Sequence, residues 1–429
     1  HASEALNRVA GVMVQRGSGQ ESLTAIRSPV LAGPGACGAF LLLEDGMPLR
    51  PVGSCNVNEV FESDTGLARA IEVIRGPGSA LYGANAVHAI VNVVSPGIED
   101  LQPARVALEG GSNDFRRVSF GAARGEANSG IGAWGSFTHD GGWRADSPVD
   151  DGKLSLLHQR HWRDGELRLR LVGTVLNQET AGFIRGLDSY RVPSIARSNP
   201  NPEAFRDAWS TRASASWHAE PGCDGCATDL RLMLRRSQMQ FLQHFLLGKP
   251  LERNGQDSVS ASALWARPIA SSRTLRWRAG IDLELADGWL QEIQSGPTLE
   301  GSAAARAIRP AGRHYDYTVD SATLAAYGVL DWQPVPRLEV AASLRADLTR
   351  YDYDNRMRDG NTAEDGTTCA FGGCLYSRPA DRRDEFADLT PRLSLSWSAG
   401  AADRLYLAAT RGFRPPEATE LYRLQRQQR

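Results

Sequence analysis

Histidine is the side chain most ready to bind a metal or move a proton near neutral pH, and this chain of 429 residues carries 8 of them. They are scattered. His158 and His161 stand three apart, so on an extended strand they face opposite sides and cannot share an ion. No HExxH pair occurs, and no GxSxG turn presents a nucleophilic serine. Gly78 and Gly83 have the spacing of a phosphate-cradling loop, but Ala84 stands where its lysine is needed. Asp352-Tyr-Asp354-Asn355 opens like a calcium loop, which Arg356 and Met357 then break. The 6 cysteines form three close pairs: Cys37 with Cys55, Cys223 with Cys226, and Cys369 with Cys374. Cys223-Asp-Gly-Cys226 has no second ligand pair at zinc spacing. Proximity therefore points to disulfides in an oxidising compartment, with free thiols as the alternative. No constellation supports an enzyme, a cofactor or a metal site.

With no catalytic set to position, the elements themselves become the evidence. Hydrophobic residues make up 41% of the chain and charged ones 23%. The longest unbroken apolar stretch, near Phe40 to Leu43, is far short of the ~20 residues of a membrane helix. The 43 glycines favour strands and tight turns. A net charge of -2 leaves no basic footprint for nucleic acid. Of the 48 basic residues only Lys153 and Lys249 are lysines, and arginine's fork suits polar interiors. His1-Ala-Ser-Glu4 has neither the basic start nor the apolar core of a signal peptide.

The pattern divides the chain. Residues 1 to about 98 read as a small α+β unit with three short strands, Phe40-Leu43, Ile71-Ile74 and Ala89-Val94, broken by glycine and proline turns. From about residue 103 long period-two alternation takes over. Leu275, Trp277, Ala279, Ile281, Leu283 and Leu285 share one face, with Arg276, Arg278, Gly280, Asp282 and Glu284 between them. Leu338 to Leu348 repeats the scheme, as do Leu167, Leu169 and Leu171 against Glu166, Arg168 and Arg170. These runs reach ten residues or more, the length a tilted strand needs to cross a bilayer. About 13 strands are predicted, beginning near 103, 115, 129, 153, 166, 207, 226, 257, 272, 320, 337, 386 and 403. Connections after even strands are short (Arg163-Asp-Gly165, Gln333-Pro336, Ser398-Gly400), whereas 178–207, 287–319 and 352–385 after odd strands are long. Short turns on one side and long loops on the other mark an outer-membrane barrel.

The stretch Ile71-Glu-Val-Ile-Arg-Gly-Pro-Gly-Ser-Ala-Leu-Tyr-Gly-Ala-Asn-Ala86, continuing to Asn92-Val-Val94, closely resembles the plug signature of TonB-dependent outer-membrane receptors. Leu6-Val12 looks like the segment leading into the family's first plug strand, and Leu42-Pro48 like its strand and turn before the long plug loop. Arg411-Gly-Phe-Arg-Pro-Pro-Glu-Ala-Thr-Glu-Leu-Tyr422 is similar to its mid-barrel motif. Arg27 departs, being followed by Ser28-Pro29 where the family has Arg-Gly. The resemblance implies a plug domain over 1–98 and an antiparallel transmembrane β-barrel over 99–429, with about 13 of 22 strands present. It also implies truncation at both ends: the coupling segment would precede His1, and roughly nine more strands would follow the last. Such a chain is expected not to insert or transport alone.

The function implied is active import of an extracellular ligand, most commonly a ferric siderophore, using energy from a TonB-type periplasmic partner. The alternative is a passive porin or a surface-binding barrel. Trp143, Arg185, Tyr190, His314, Tyr315 and Tyr317 combine aromatic and cationic character on or near long loops, as ligand contacts or as girdle and loop packing. By the resemblance, Arg75 latches plug to wall through Glu417 or Glu420, the competing reading being a local pair with Glu72. A Cys37–Cys55 disulfide would stiffen a ligand-facing plug loop.

Overall fold

The computed structural model describes residues 2–29, 40–54, 59–78, 80–101, 103–126, 128–223, 225–269, 274–400 and 403–428. A short helix, Ala2–Leu6, leads into a hairpin of β1 (Val12–Arg16) and β2 (Ser22–Ile26). A mixed sheet follows, built from β3 (Phe40–Glu44), β4 (Met47–Pro48), β5 (Ala70–Arg75) and β6 (Ala89–Val94). Its order is β4-β3-β6-β5, with β3 parallel to β6 and β5 antiparallel to it. The three strands read from the sequence are all present. Leu6, Val12, Val14, Ile26, Phe40, Ala89 and Val91 bury one face between hairpin and sheet. The turn from β3 to β4 runs through Asp45 and Gly46, both at positive φ (51° and 76°), the conformation of a two-residue hairpin turn. A Cβ at Gly46 would stand 2.7 Å from Arg231 Nη1, a side-chain tip that could shift, so it is the positive φ that calls for glycine.

The second domain is one antiparallel sheet of 13 strands. They are β7 (Arg105–Gly110), β8 (Arg116–Glu126), β9 (Ser129–Asp140), β10 (Val149–Trp162), β11 (Gly165–Glu179) and β12 (Phe205–Ala219). Then come β13 (Ala227–Leu242), β14 (Leu251–Pro268), β15 (Leu275–Gln294), β16 (Gly312–Val335) and β17 (Leu338–Asn355). A two-residue strand, β18 (Tyr376–Ser377), lies in the next loop. β19 (Arg382–Ser398) and β20 (Arg404–Thr410) complete the wall, and β21 (Leu424–Gln425) pairs with β18. Each wall strand pairs with its neighbours in the sequence, and β7 and β20 form the sheet's two edges.

Two expected starts were late. β14 begins at Leu251 and β16 at Gly312, earlier than the 257 and 320 read from alternation. Their outward ends rise past the apolar band, so both faces are polar there and the period-two signal fades. One loop therefore shrinks to 295–311, which places His314, Tyr315 and Tyr317 on β16 and not on a loop.

The apolar face of the alternation points away from the N-terminal domain. Ile281, Leu283 and Leu285 are 51%, 46% and 45% exposed, the lipid-facing side of a membrane wall. Trp162, Trp217, Trp265, Trp277, Trp332 and Trp397 all stand near the short-turn ends of their strands. They form an interfacial aromatic girdle. Across six strands at the other boundary, Arg236, Asp257, Asp287, Asp320, Asp352 and Arg383 stand in direct register, ending the apolar band with charge.

Candidate functional site

The inward face of the wall is polar, and it closes on the N-terminal domain mainly through arginine. Glu44, at the end of β3 and 3% exposed, accepts from Arg170 Nη2 on β11 at 3.2 Å and from Arg212 Nη2 on β12 at 2.8 Å. Arg170 Nη1 donates to Asp45 at 2.5 Å. Glu62 accepts from Arg50 of its own domain at 2.6 Å, and Arg212 donates to the Glu62 carbonyl at 2.7 Å. Burial alone would raise the Glu44 carboxyl, but Arg170 and Arg212 outweigh it and hold it below the usual carboxylate range.

Other wall cations grip backbone. Arg235 on β13 donates to Pro48 O at 2.8 Å, Lys153 on β10 to Ser63 O at 3.0 Å, and Arg345 on β17 to Ala80 O at 3.2 Å. Arg345 is balanced by Asp282 and Asp347. Its guanidinium lies so close to Gly83, at φ 75°, that a Cβ there would meet Nη2 at 2.6 Å. Apolar contact at this seam is confined to patches. Phe61, for instance, packs on Val149, Leu176, Ala208 and Met239.

The expected Arg75 contact with Glu417 or Glu420 is absent among the described residues. β5 is the outer strand of its sheet, and Arg75 turns back to donate to Ala10 O at 2.7 Å. Glu72 accepts from Asn92 at 2.9 Å, so the local alternative is not formed either. Glu420 instead takes a two-pronged contact from Arg414 at 2.7 and 2.9 Å, and Glu417 lies 3.7 Å from the same guanidinium. Ion pairing between the domains runs mainly from plug acids (Glu21, Glu44, Asp45, Glu62) to wall arginines, the reverse of the polarity expected, with Arg16–Asp140 at 3.8 Å running the other way.

The Arg411–Tyr422 motif does not simply continue the wall. After β20 the chain folds inward and touches both domains. Asn85 N donates to Phe413 O at 3.0 Å, and Ala418 N donates to Gly53 O at 3.0 Å. Tyr422 stacks on Tyr353 with ring centroids 4.2 Å apart and donates to Asp384 at 2.8 Å. Arg423 then enters a buried acidic notch. Its Nη1 is 3.0 Å from Glu252, Nη2 donates to Gln243 at 2.7 Å, and Nη2 also pairs with Glu292. Burial opposes its charge, but Glu252 and Glu292 raise its proton affinity above the ordinary. Segment 411–428 is thus a strap from plug-side backbone to the outward end of the wall.

The six candidate ligand contacts do not converge. His314, Tyr315 and Tyr317 are 1%, 2% and 3% exposed. His314 bonds Glu292 at 2.9 Å and stacks on Tyr376, while Tyr315 donates to Leu424 O at 2.5 Å. These three hold the strap. Trp143 and Tyr190 are 55% and 62% exposed on the outward loops 141–148 and 180–204, and Arg185 is exposed on the second of these loops. Ala145 N bonds Arg197 O at 2.8 Å, tying those two loops together.

Cys223 with Cys226 forms a disulfide on the turn from β12 to β13, and Cys369 with Cys374 forms one in the outward loop 356–381. Cys37 and Cys55 lie outside the described residues. Arg426 donates to Phe371 O and Gly373 O within the second disulfide loop. Closing so short a loop stabilises it by about 2 kcal/mol. Replacing both Cys369 and Cys374 with serine is expected to raise protease cutting between them, read by peptide mapping. An unchanged digest would show that Arg426 alone orders the loop.

The family model "TonB dependent receptor-like, beta-barrel" matches residues 110–426, and "TonB-dependent Receptor Plug Domain" matches residues 1–90. The chain belongs to the TonB-dependent receptor family, β-barrel proteins of the outer membrane that carry a plug and are not enzymes. The vitamin B12 transporter BtuB of Vibrio vulnificus (strain CMCP6) is 33% identical over 92 residues, 21% of this chain and 15% of that protein. The unliganded ferric citrate transporter FecA superposes with a TM-score of 0.71 at 15% identity, over 95% of this chain and 59% of its own. The open form of the ferric-catecholate import receptor Fiu from E. coli K12 gives 0.69 at 16% identity, over 97% and 67%. Identities this low establish the shared fold.

Proposed function

We propose that the protein binds an extracellular metal chelate, of the ferric siderophore kind, and imports it with energy drawn from a TonB-type periplasmic partner. One observation carries the reading: a folded plug is seated in the wall by discrete charged contacts more than by a continuous apolar core. Charged contacts can be broken one at a time by a pull from the periplasmic side, and remade when water leaves. A passive porin has no use for a lumen filled in this way. The chelate class rests on the ferric cargo of the structural neighbours FecA and Fiu, and on exposed aromatic and cationic residues over the outward loops.

Growth of a deletion strain on chelated iron, cobalamin and sugars tests the cargo. Loss of growth on one ferric chelate under iron restriction is expected, and uptake of that chelate by the parent strain should stop when the proton gradient is collapsed. Loss on cobalamin alone would replace the chelate with a corrinoid. Arg185→Ala with Tyr190→Ala is expected to weaken cargo binding at least tenfold, about 1.4 kcal/mol, without changing heat-modifiable mobility. Unchanged affinity by titration removes both from the contact set.

A further inference from the structure

A cavity of about 830 Å³ opens on the lipid-facing surface of the wall, across β8 to β13. Its floor is cut by small residues, Ala122, Ala133, Ala213 and Ala215, between exposed leucines. Ala122, Ala133, Leu156, Leu171, Ala213 and Leu234 stand in register on six successive strands. At ~4.8 Å per strand the groove runs about 24 Å. With strands tilted about 45°, it crosses about 17 Å of depth, near one leaflet of a ~30 Å core.

One end of the groove is cationic. Arg124, Ile131 and His158 form the next row toward the short-turn side, and Arg160 lies two residues beyond His158 on the same face. That end sits low in the membrane. On β10 the groove row is six residues from Trp162, whereas the same row reaches β15 at Leu285, eight residues from Trp277. Arg124, His158 and Arg160 make no ion pair or side-chain hydrogen bond among the described residues. Glu126, on the same face, pairs with none of them. Unpaired guanidinium groups at a hydrocarbon boundary call for an anion, and the groove beside them calls for an alkyl chain.

We infer that this face seats one anionic phospholipid of the inner leaflet, its acyl chain along the alanine floor and its phosphate against Arg124 and Arg160. His158 is placed to donate a further hydrogen bond to the same headgroup. The inference rests on the lipid-facing wall and not on the cargo reading, so either can fail alone.

The test is native mass spectrometry of the receptor purified from outer membranes in mild detergent, titrated with phosphatidylglycerol or phosphatidylcholine. Retention of one phosphatidylglycerol in preference to phosphatidylcholine is expected. Arg124→Gln with Arg160→Gln should lower that retention about thirtyfold, from roughly 1 kcal/mol per arginine. Ala133→Phe, which fills the floor, should abolish it while heat-modifiable mobility stays native. Equal retention of both lipids, or arginine variants that bind like the native receptor, would overturn the assignment and leave ordinary annular lipid. Stable co-purification of a protein on this face, lost on Ala133→Phe, would overturn it in favour of a protein partner. The lipid preference of the native receptor decides the matter even if a variant fails to assemble.

Discussion

Arg423→Met is expected to release the strap from the wall. The substitution leaves Glu252 and Glu292, 5% and 1% exposed, facing one another with no cation between them. Removing one member of a buried ionic set costs about 3–5 kcal/mol. Local contacts of the strap, chiefly the Tyr422–Tyr353 stack and the Tyr315 bond to Leu424 O, cannot offset that amount. Amide exchange across 418–426 should therefore accelerate by two orders of magnitude or more. The wall strands should keep their protection. Adding Glu252→Gln and Glu292→Gln should restore part of it, because the stranded charge is then gone. Native-like exchange in Arg423→Met would mean that stacking and not charge holds the strap.

Glu44→Gln should loosen the plug as a unit. Arg170 and Arg212 lose a shared carboxylate, keeping Asp45 and Glu62 as partial substitutes. A loss of about 3 kcal/mol would lower the urea midpoint of plug unfolding by about 1 M or more. The same group sets an acid limit. Its folded-state affinity for a proton is depressed, so its stabilisation is present above the unfolded carboxylate value and is lost as pH falls through the folded one. The native plug should accordingly loosen below about pH 4, and Glu44→Gln should flatten that part of the profile. Urea midpoints of both proteins at neutral and acid pH provide the comparison. Equal acid sensitivity would move the limit to another carboxylate.

Much of the architecture was readable because the barrel wall has a simple code. Alternation depends on which face meets lipid, a property of each residue and its second neighbour, so Leu275 to Leu285 declared itself. Turn length by parity did the rest. The plug was legible from Phe40–Leu43 and Ala89–Val94, runs apolar enough to be buried strands in any context. The site was less legible, for a physical reason. Arg170, Arg212, Arg235 and Arg345 occupy inward positions of the alternation, where a polar residue is expected whatever its partner. Only the superposition of two domains far apart in sequence shows that each meets an acid or a carbonyl. Glu44 was hidden more deeply, because an acid next to Asp45-Gly46 reads as ordinary turn chemistry. Arg75 misled for the opposite reason: a motif fixes a residue's backbone, but an edge strand leaves its side chain free to turn either way.

The seam's reliance on main-chain oxygens has a consequence for how such a protein changes over generations. Pro48, Ser63 and Ala80 are gripped by Arg235, Lys153 and Arg345 through carbonyls that every amino acid possesses. Drift at those plug positions leaves the anchor intact, whereas drift at the three cations removes it. Because Ser63 and Ala80 are buried, a saturation library should accept other small side chains at 63 and 80 with the anchor intact, and show narrow tolerance at 153, 235 and 345. Variation can then accumulate on the plug without unseating it.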